Sequence, residues 1–409
     1  GKLMKNMRRM LSLLLALIMS VGCLSASIAV GDAEKYPVSW DLSALYASKE
    51  DWQADYDRVE EMIQGHTEYR GKLDNAQTIL EYYQKFYMGE LTAMRTSASI
   101  PFGSRYRQVD FVLSNMANSG IKSIGIITKY NYQSLMDHLG NCEEWDLKLG
   151  DGVRFLPPYA TGHTGAYHGK LEALQTAMPV LERSDADYVV LSDTTVLCAI
   201  NFRLVVEEHI RSGCDITVIA KAGIANGEKI QHAAFKLSAD GEIEDMAVDY
   251  RAPEDYLVGM SMFIIAREKL IEIIRESVPR GKYHLERDYL LPQYNEGKLK
   301  IHVYPFHNVV MFNDSTVEYY KNSMRLLDED VRHGLYRSEV PIYTKVRDAV
   351  PTLYGENGRT PNCLVADGCH LFGCAENSII FREVEIEEGA EVRDCVVMQG
   401  AKIGAGANI

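Results

Sequence analysis

The segment at residues 91–121 reads LTAMRTSASIPFGSRYRQVDFVLSNMANSGI, and it carries the strongest structural pattern of the 409-residue chain. Its second half predicts an amphipathic helix, because residues that would share one helix face recur every three or four positions. These residues are Asp110, Phe111, Leu113, Met116 and Ala117. Gly120 stands where such a helix would end. The apolar run at 124–127 then predicts a buried parallel strand, so the segment indicates one α/β unit behind a turn at 101–103.

Two arginines, Arg105 and Arg107, directly precede this predicted helix. Helix N-termini and guanidinium groups both favour anions, so the position suits a phosphate. The alternative is that both side chains only solvate a turn.

Composition indicates a globular protein of about two or three domains. Hydrophobic residues make up 46% of the chain and charged residues 24%, which is ordinary for soluble proteins. The net charge of −14 argues against general nucleic-acid binding. The eight cysteines show no paired metal-ligand spacing, which argues against zinc and favours small core residues of a reduced, cytosolic protein.

The first 30 residues conflict with that compartment. A basic stretch at 4–9, an apolar run at 11–21 and small residues at 27–29 predict a secretory signal peptide within residues 4–29. The apolar run is too short to span a bilayer. A simple hydrophobic helix is the alternative interpretation.

The order of motifs resembles the sugar-nucleotide pyrophosphorylases that make ADP-glucose. The shared pattern is LT-x2-R-x5-PFG-x-RYR-x-VDF-x-LSN-x3-SGI, and the segments SNMANSGI and VPIYTKV (340–346) resemble the GlgD-type subunit of glucose-1-phosphate adenylyltransferase. The resemblance covers residues 89–409. It implies a Rossmann-like α/β nucleotidyltransferase domain at 89–330, a linker at 331–360, and a left-handed parallel β-helix of hexapeptide repeats at 361–409, truncated at its end.

The hexapeptide spacing is visible in the sequence itself. Apolar residues recur at intervals of five or six positions with glycines between them, as in coils whose apolar side chains stack inside a β-helix. These residues are Ile386, Val392, Val397, Ile403 and Ile409.

Residues 38–88 predict a helical extension that resembles an N-terminal fragment of oligoendopeptidase F. None of the eleven histidines forms the HExxH motif of that family, so peptidase activity is not implied. The phosphate-binding loop of active pyrophosphorylases, GGxGxRLxxLT, would fall on Tyr82, Tyr83, Lys85 and Tyr87. Bulky side chains there prevent the close backbone approach that glycine permits, so the loop is absent from this chain.

The remaining site residues are implied by position within the family. Gly162 and Thr164 lie where relatives read GTADAVxQN, a loop that could cradle a phosphate or form a plain strand-to-helix turn. A strand predicted at 186–191, central and parallel, ends beside Asp193, and Asp288 lies in a second carboxylate-bearing segment or on an ordinary helix face. These two aspartates are the vestigial candidates for catalysis and for Mg²⁺. Arg251 lies near the position of the family's lysine that binds the sugar phosphate, and it would supply the same charge.

The metal site looks disabled, because Asn201 occupies the position of a family aspartate when the segments are aligned from their end. The resemblance therefore implies a catalytically impaired regulatory or structural subunit in ADP-glucose and glycogen synthesis. Its expected partner is a catalytic subunit in a hetero-tetramer in the cytoplasm, with a sugar phosphate or nucleotide as a further ligand. No nucleic-acid partner is expected. Membrane association is expected only for the leader, if at all. One alternative is an active, Mg²⁺-dependent glucose-1-phosphate adenylyltransferase; another is an exported, peptidase-derived binding protein.

Overall fold

The computed structural model describes residues 90–93, 95–128, 131–147, 152–157, 167–222, 232–248 and 255–409. The predicted leader, the predicted helical extension at 38–88 and the absent glycine loop at 82–88 lie outside these residues, as do Gly162, Thr164 and Arg251. No helix within the described ranges combines the length and apolar character needed to cross a membrane.

The first domain alternates short strands and helices. Its strands are β1 (Pro101–Phe102), β2 (Tyr106–Arg107), β3 (Ile124–Ile127), β4 (Val153–Leu156), β5 (Tyr188–Leu191), β6 (Val196–Leu197), β7 (Ile216–Ala222), β8 (Ala233–Leu237), β9 (Ile243–Val248), β10 (Leu257–Ala266), β11 (Ile301–Phe306) and β12 (Met311–Phe312). Its helices are α1 (Glu90–Ala93), α2 (Gln108–Asn118), α3 (Gln133–Leu139), α4 (Lys170–Gln175), α5 (Met178–Arg183), α6 (Phe202–Ser212), α7 (Arg267–Ser277), a π-helix at Leu285–Leu290, α8 (Leu291–Asn295), α9 (Thr316–Arg325) and α10 (Glu329–Leu335).

The main sheet is built around β10. Its strand order is β11-β7-β10-β8-β9, with β7 and β11 parallel and the other pairs antiparallel, while β5 pairs antiparallel with the far half of β10. The strand predicted at 186–191 as central and parallel is therefore antiparallel to its partner, and within the described residues it pairs on one edge only. Pairing depends on which distant strand lies alongside, and β10 is about 70 residues away in sequence.

The α/β unit predicted from residues 91–121 is present. A tight hairpin joins β1 to β2 through Gly103 and Ser104, both with positive φ, and α2 begins directly after β2. As predicted, β3 runs parallel to its partner, which is β4. Ile124 is buried as predicted, whereas Ile126 and Ile127 are only partly buried. In the described residues β3 and β4 form a separate two-stranded sheet.

Residues 170–183 form two short helices, α4 and α5, instead of one continuous helix. The first piece ends at Gln175 and the second begins at Met178, with Pro179 in its first turn. Proline is suited to the start of a helix but removes a backbone donor from a helix interior, so the division follows from the sequence.

Helix α2 is buried nearly all round, and its polar side chains are bonded to other segments. The Asn115 amide donates to the carbonyl of Cys198 (2.8 Å) and accepts from the N–H of Ile200 (3.1 Å). The hydroxyl of Ser119, just past the helix, accepts from the N–H of Phe202 at 2.8 Å. These bonds fix the loop that leads into α6.

The same helix also holds the segment that connects the two domains. The Ser114 hydroxyl accepts from the N–H of Tyr343 (2.8 Å) and from the indole N–H of Trp145 (3.2 Å). Asn118 donates to the carbonyl of Pro341 at 2.9 Å. The connection is therefore anchored by specific bonds over residues 341–343.

The second domain is a parallel β-helix whose coils stack in three strand columns. Its strands are β13 (Leu353–Tyr354), β14 (Leu364–Val365), β15 (His370–Leu371), β16 (Cys374–Glu376), β17 (Ile379–Ile380), β18 (Glu385–Ile386), β19 (Glu391–Arg393), β20 (Val396–Val397) and β21 (Lys402–Ile403). The columns are β13-β15-β18-β21, β14-β17-β20 and β16-β19, all parallel.

Four of the five predicted stacking residues are buried inside this β-helix: Ile386, Val392, Val397 and Ile403. Ile409 is 58% exposed and not buried as predicted. Asn408 pairs with Glu391 in parallel, so these residues continue the column of β16 and β19. Strand β13 lies within the segment predicted as a linker at 331–360, and α10 spans the predicted boundary at 330.

One corner of the β-helix carries a ladder of short polar side chains. Asn362, Asn377 and Asp394 all have φ near +50°, a conformation that these residue types tolerate best after glycine. Asn362 donates to Asn377 at 2.8 Å, and Asn377 donates in turn to Asp394. The corner is therefore specified both by backbone conformation and by side-chain bonds.

Replacing the buried amide of α2 tests the first of these arrangements. Asn115→Ala strands the Cys198 carbonyl and the Ile200 N–H, which should lower the free energy of unfolding by about 2–4 kcal/mol. Asn118→Ala, which loses one bond at a partly exposed site, should cost less than about 1 kcal/mol. Urea unfolding followed by circular dichroism measures both; equal losses would contradict the anchoring role of Asn115.

Substitutions at Asn377 test the corner ladder. Asn377→Ala removes two side-chain bonds and forces alanine to a positive φ, so it should destabilise the β-helix by about 1–2 kcal/mol. Asn377→Gly relieves the backbone and keeps only the loss of the bonds. Thermal unfolding of the two variants separates the contributions, and a glycine variant less stable than the alanine variant would rule out backbone strain.

Candidate functional site

Several ionisable side chains from distant segments lie near the end of β5, and we refer to this group as the cleft: Lys170, Asp193, His232, Glu286 and Asp314. The Asp193 carboxylate accepts from the N–H and the hydroxyl of Thr195, both at 3.0 Å. Near it lies His232, whose Nδ1 is 3.0 Å from the Ser261 hydroxyl. Burial lowers the pKa of His232; Lys170 lowers it further, and Asp314, Asp193 and Glu286 oppose that effect. These side chains therefore form one electrostatic group.

The backbone of β10 is irregular beside this group. Ser261 has φ +51° within a bulge between Gly259 and Met262. Bulges of this kind often redirect side chains next to functional sites. Here the bulge presents the Ser261 hydroxyl to His232, and sequence patterns gave no sign of it.

A lysine and a glutamate form the closest ion pair of the cleft. The Lys170 Nζ lies 2.5 Å from Glu286 Oε1, and it also lies 4.7 Å from the centre of the Phe263 ring. The Glu286 side chain is only 9% exposed, so its carboxylate depends on this partner. Neither residue was selected from the sequence.

Asp288, predicted as a metal-side carboxylate, has local partners instead. Its carboxylate accepts from the N–H groups of Tyr283 and His284 (2.9 Å each) and from Arg287 Nε (3.0 Å). Burial alone would raise the pKa of Asp288, but the bonds from His284, Arg287 and Tyr283 lower it below its ordinary value. Asp288 thus caps the entry to the π-helix, in keeping with the alternative of an ordinary helical position.

These residues do not fit Mg²⁺, which needs several free oxygen ligands in octahedral geometry. In the part of the chain that the structure describes, no group of three or more His, Cys, Asp or Glu side chains converges to hold a metal ion. Asp193 and Asp288 are each committed to local bonds. Their assignment to metal binding or catalysis stays a prediction.

A second site lies between the two domains and is rich in arginine. Its walls are formed by residues of the first hairpin, α3, the inter-domain segment and the β-helix: Pro101, Ser104, Arg105, Tyr106, Arg107, His138, Arg347, Phe381, Arg382 and Gln399. We call it the arginine pocket. Arg105 and Arg107, predicted from the sequence as phosphate ligands, both line it.

Arg107 is held rigidly at the edge of the arginine pocket. Its Nη1 donates to the carbonyl (2.7 Å) and hydroxyl (2.9 Å) of Ser134, and its N–H donates to Asp110. Burial, followed by repulsion from Arg95 and Arg347, lowers the pKa of Arg107 to about 10. The guanidinium therefore remains charged near neutral pH among other cations, which favours an anion as ligand.

His138 of α3 also lines the arginine pocket. It is 4% exposed, and its Nε2 lies 2.6 Å from Asp110 Oδ1. Because Asp110 also accepts from the Arg107 N–H, this carboxylate ties α3 to the start of α2. Sequence reasoning missed Arg347, Arg382 and His138, since they join Arg107 only in the folded chain.

Comparison with known proteins identifies both domains. The nucleotidyl transferase family matches residues 88–245, and the GlmU-like C-terminal hexapeptide family matches residues 349–409. The chain is 34% identical to the glycogen biosynthesis protein GlgD of Bacillus subtilis (strain 168) over 310 residues, which are 76% of this chain and 80% of that protein.

Two other relatives support the same family assignment. The GlgD protein of Geobacillus stearothermophilus is 35% identical over 74% of this chain and 78% of its own length. A glucose-1-phosphate adenylyltransferase of Bacillus thuringiensis (strain Al Hakam) is 28% identical over 78% of this chain and 85% of its own length. The chain therefore belongs to the GlgD family of glycogen biosynthesis proteins, a branch of the nucleotidyl transferases with a hexapeptide-repeat domain.

Proposed function

We propose that this protein is a regulatory, non-catalytic subunit that associates with a catalytic glucose-1-phosphate adenylyltransferase in glycogen synthesis. The observation that carries the proposal is the arginine pocket at the junction of the domains. It gathers charge for an anion at a point where the first domain, the connecting segment and the β-helix meet.

The cleft supports the non-catalytic part of the proposal. Nucleotidyl transfer requires stabilisation of phosphate charge, by a metal ion and by backbone N–H groups of a glycine loop. The carboxylates of the cleft have local partners or pair with Lys170, and the family's loop positions carry tyrosine and lysine. Each loss should cost several kcal/mol of transition-state stabilisation, at about 1.4 kcal/mol per tenfold in rate.

The arginine pocket supports the regulatory part. An anion bound there would contact Arg107 of the first domain, Arg347 of the connecting segment and Arg382 of the β-helix. A phosphate-bearing metabolite fits this chemistry, because arginine binds phosphate oxygens in a bidentate manner. Binding would relieve the repulsion among Arg107, Arg95 and Arg347, so it would stabilise one arrangement of the two domains.

The proposed partner is a catalytic relative of this chain in a hetero-tetramer, and the proposed compartment is the cytoplasm, where ADP-glucose synthesis would take place. Gly162, Thr164 and Arg251 are the proposed contacts for a phosphate group. If they bind one, the protein would also have a sugar phosphate or nucleotide as a ligand. A leader that directs export would contradict the compartment.

Pyrophosphate release from ATP and glucose-1-phosphate tests the proposed function. The full chain, a catalytic homologue and their mixture are assayed with Mg²⁺. The full chain alone should show no turnover, because no group of metal ligands converges among the described residues of its cleft. The mixture should differ from the homologue in rate or in response to phosphorylated metabolites. Substantial turnover by the full chain alone, or a mixture identical to the homologue, would contradict the proposal.

A single exposed arginine tests the arginine pocket. Arg347→Ala should weaken binding of inorganic phosphate, measured by isothermal titration calorimetry, by about tenfold, through loss of one charge-assisted contact. Arg211→Ala, an exposed arginine at the end of α6, removes the same charge away from the pocket and serves as the control. Equal losses in both variants would show that the anion responds only to overall charge.

A further inference from the structure

We propose that the sheet of the first domain contains a slot for one further strand, and that this slot binds an extended apolar segment of a partner polypeptide. The free edge of β5 and a free edge of the β3–β4 ladder form its two sides. The proposal does not depend on the arginine pocket or on the proposed regulatory function.

Two edges of the first domain have no neighbouring strand among the described residues. Strand β5 pairs with β10 along one edge only, and β3 pairs only with β4, so the two ladders are not bonded to each other. Each such edge presents backbone N–H and C=O groups that need partners. By contrast, β7 is paired on both edges, by β10 and β11.

The side chains of both ladders face the same two hydrophobic cores. Ile126 of β3 and Val190 of β5 pack against the core that contains α2. Ile127 and Val189, their neighbours in sequence, pack against the core on the opposite side, which contains α7. Because successive residues of a strand point to opposite faces, the two ladders lie in one layer between the two cores. The unpaired edges therefore belong to one interrupted sheet.

The burial of these strands indicates an open space beside them. All four residues of β5 are only partly buried, and so are Ile126 and Ile127 of β3. On β10, which is paired on both edges at this point, Ile264 and Ile265 are fully buried. The hydroxyl of Thr128, directly after β3, is buried and has no hydrogen-bond partner. A strand alongside would cover the apolar side chains and would bring backbone groups close to this hydroxyl.

The chemistry of the two edges defines the kind of segment that fits. A strand in this layer meets an apolar core on each face, so it must be apolar on both faces, as in a continuous run of Val, Ile or Leu. The edge strand Tyr188–Leu191 carries no charge, proline or glycine that would prevent pairing. Strand addition combines main-chain bonds with contacts of the alternate side chains. The fitting ligand is therefore a run of about four to six apolar residues without proline.

The sequence outside the described residues favours an occupant from another polypeptide. The residues that directly precede α1, at 76–89, contain no run of four apolar residues. Within residues 1–89, a run of five or more apolar residues occurs only at 13–19. That run lies inside the predicted signal peptide, a kind of segment that is removed from a mature protein. A strand supplied by a partner is therefore the occupant that we propose.

Hydrogen–deuterium exchange of the full chain, read residue by residue, tests the proposal with the synthetic peptide KKVIVIVKK as the added strand. Its central residues are apolar β-formers, and its lysines keep it soluble. In the chain alone, the amides of 124–127 and 188–191 that face the slot should exchange rapidly, whereas those of 216–220 in β7 should be protected. Saturating peptide should slow exchange at the slot amides at least about tenfold, because these N–H groups gain bonded partners.

Two controls separate strand pairing from general adhesion. The peptide KKVIPIVKK carries a central proline, which removes a backbone donor, so it should leave exchange unchanged. Ile127→Lys places a charge at the side of the slot and should abolish protection at 188–191. Leu204→Lys adds the same charge at an exposed position of α6 and should keep full protection. If Ile127→Lys does not fold, the two peptides on the unmodified chain decide the question.

Each outcome decides for or against the proposal. Protection of both edges by KKVIVIVKK, absent with the proline peptide, supports it. Rapid exchange that the peptide does not slow would overturn it, and so would equal protection by both peptides, which would show adhesion without pairing. Slow exchange at both edges before any peptide is added would overturn it as well, because a segment of this chain would then fill the slot.

Discussion

The structure depends on the polar side chains that helix α2 buries. A buried amide or hydroxyl without a partner is costly, so each of these groups dictates the position of the segment that satisfies it. Asn115 and Ser119 determine the path of residues 198–202, and Ser114 and Asn118 determine that of residues 341–343. One helix thereby sets the loop beneath the cleft and the connection between the domains.

The same helix explains how the arginine pocket keeps so many cations close together. Arg107 stands at its N-terminus and is tied to Ser134, and Arg347 lies four residues beyond the anchored Tyr343. Arg382 belongs to the β-helix, which packs against the first domain through Leu364, Val396 and Met398. Like charges would separate if any of these segments could move freely. Because the framework is fixed by satisfied buried bonds, the arginines stay close together, and their repulsion adds to burial in lowering the pKa of Arg107.

Local sequence patterns predicted much of this architecture. The period of helix α2 and of the β-helix coils depends on neighbouring residues, so α2, Ile386 and Val392 are found where the sequence predicts them. The orientation of β5 depends on β10, and the pocket depends on Arg347 and Arg382, which no spacing rule connects to Arg107. Asp288 shows a different limit, because a carboxylate that caps a helix and one that binds a metal look alike in sequence.

The cleft and the arginine pocket place different demands on the chain, and this difference bears on the proposed function. Transfer chemistry needs free carboxylates and a glycine loop, whereas an anion pocket needs only fixed arginines on a rigid framework. Lys170 can occupy the cleft without disturbing α2, because its contacts run to Glu286 and Phe263 on the other side of the sheet. A chain can therefore lose the first capacity while it keeps the second. A subunit that senses a phosphorylated metabolite on behalf of a catalytic partner is the function that such a separation permits.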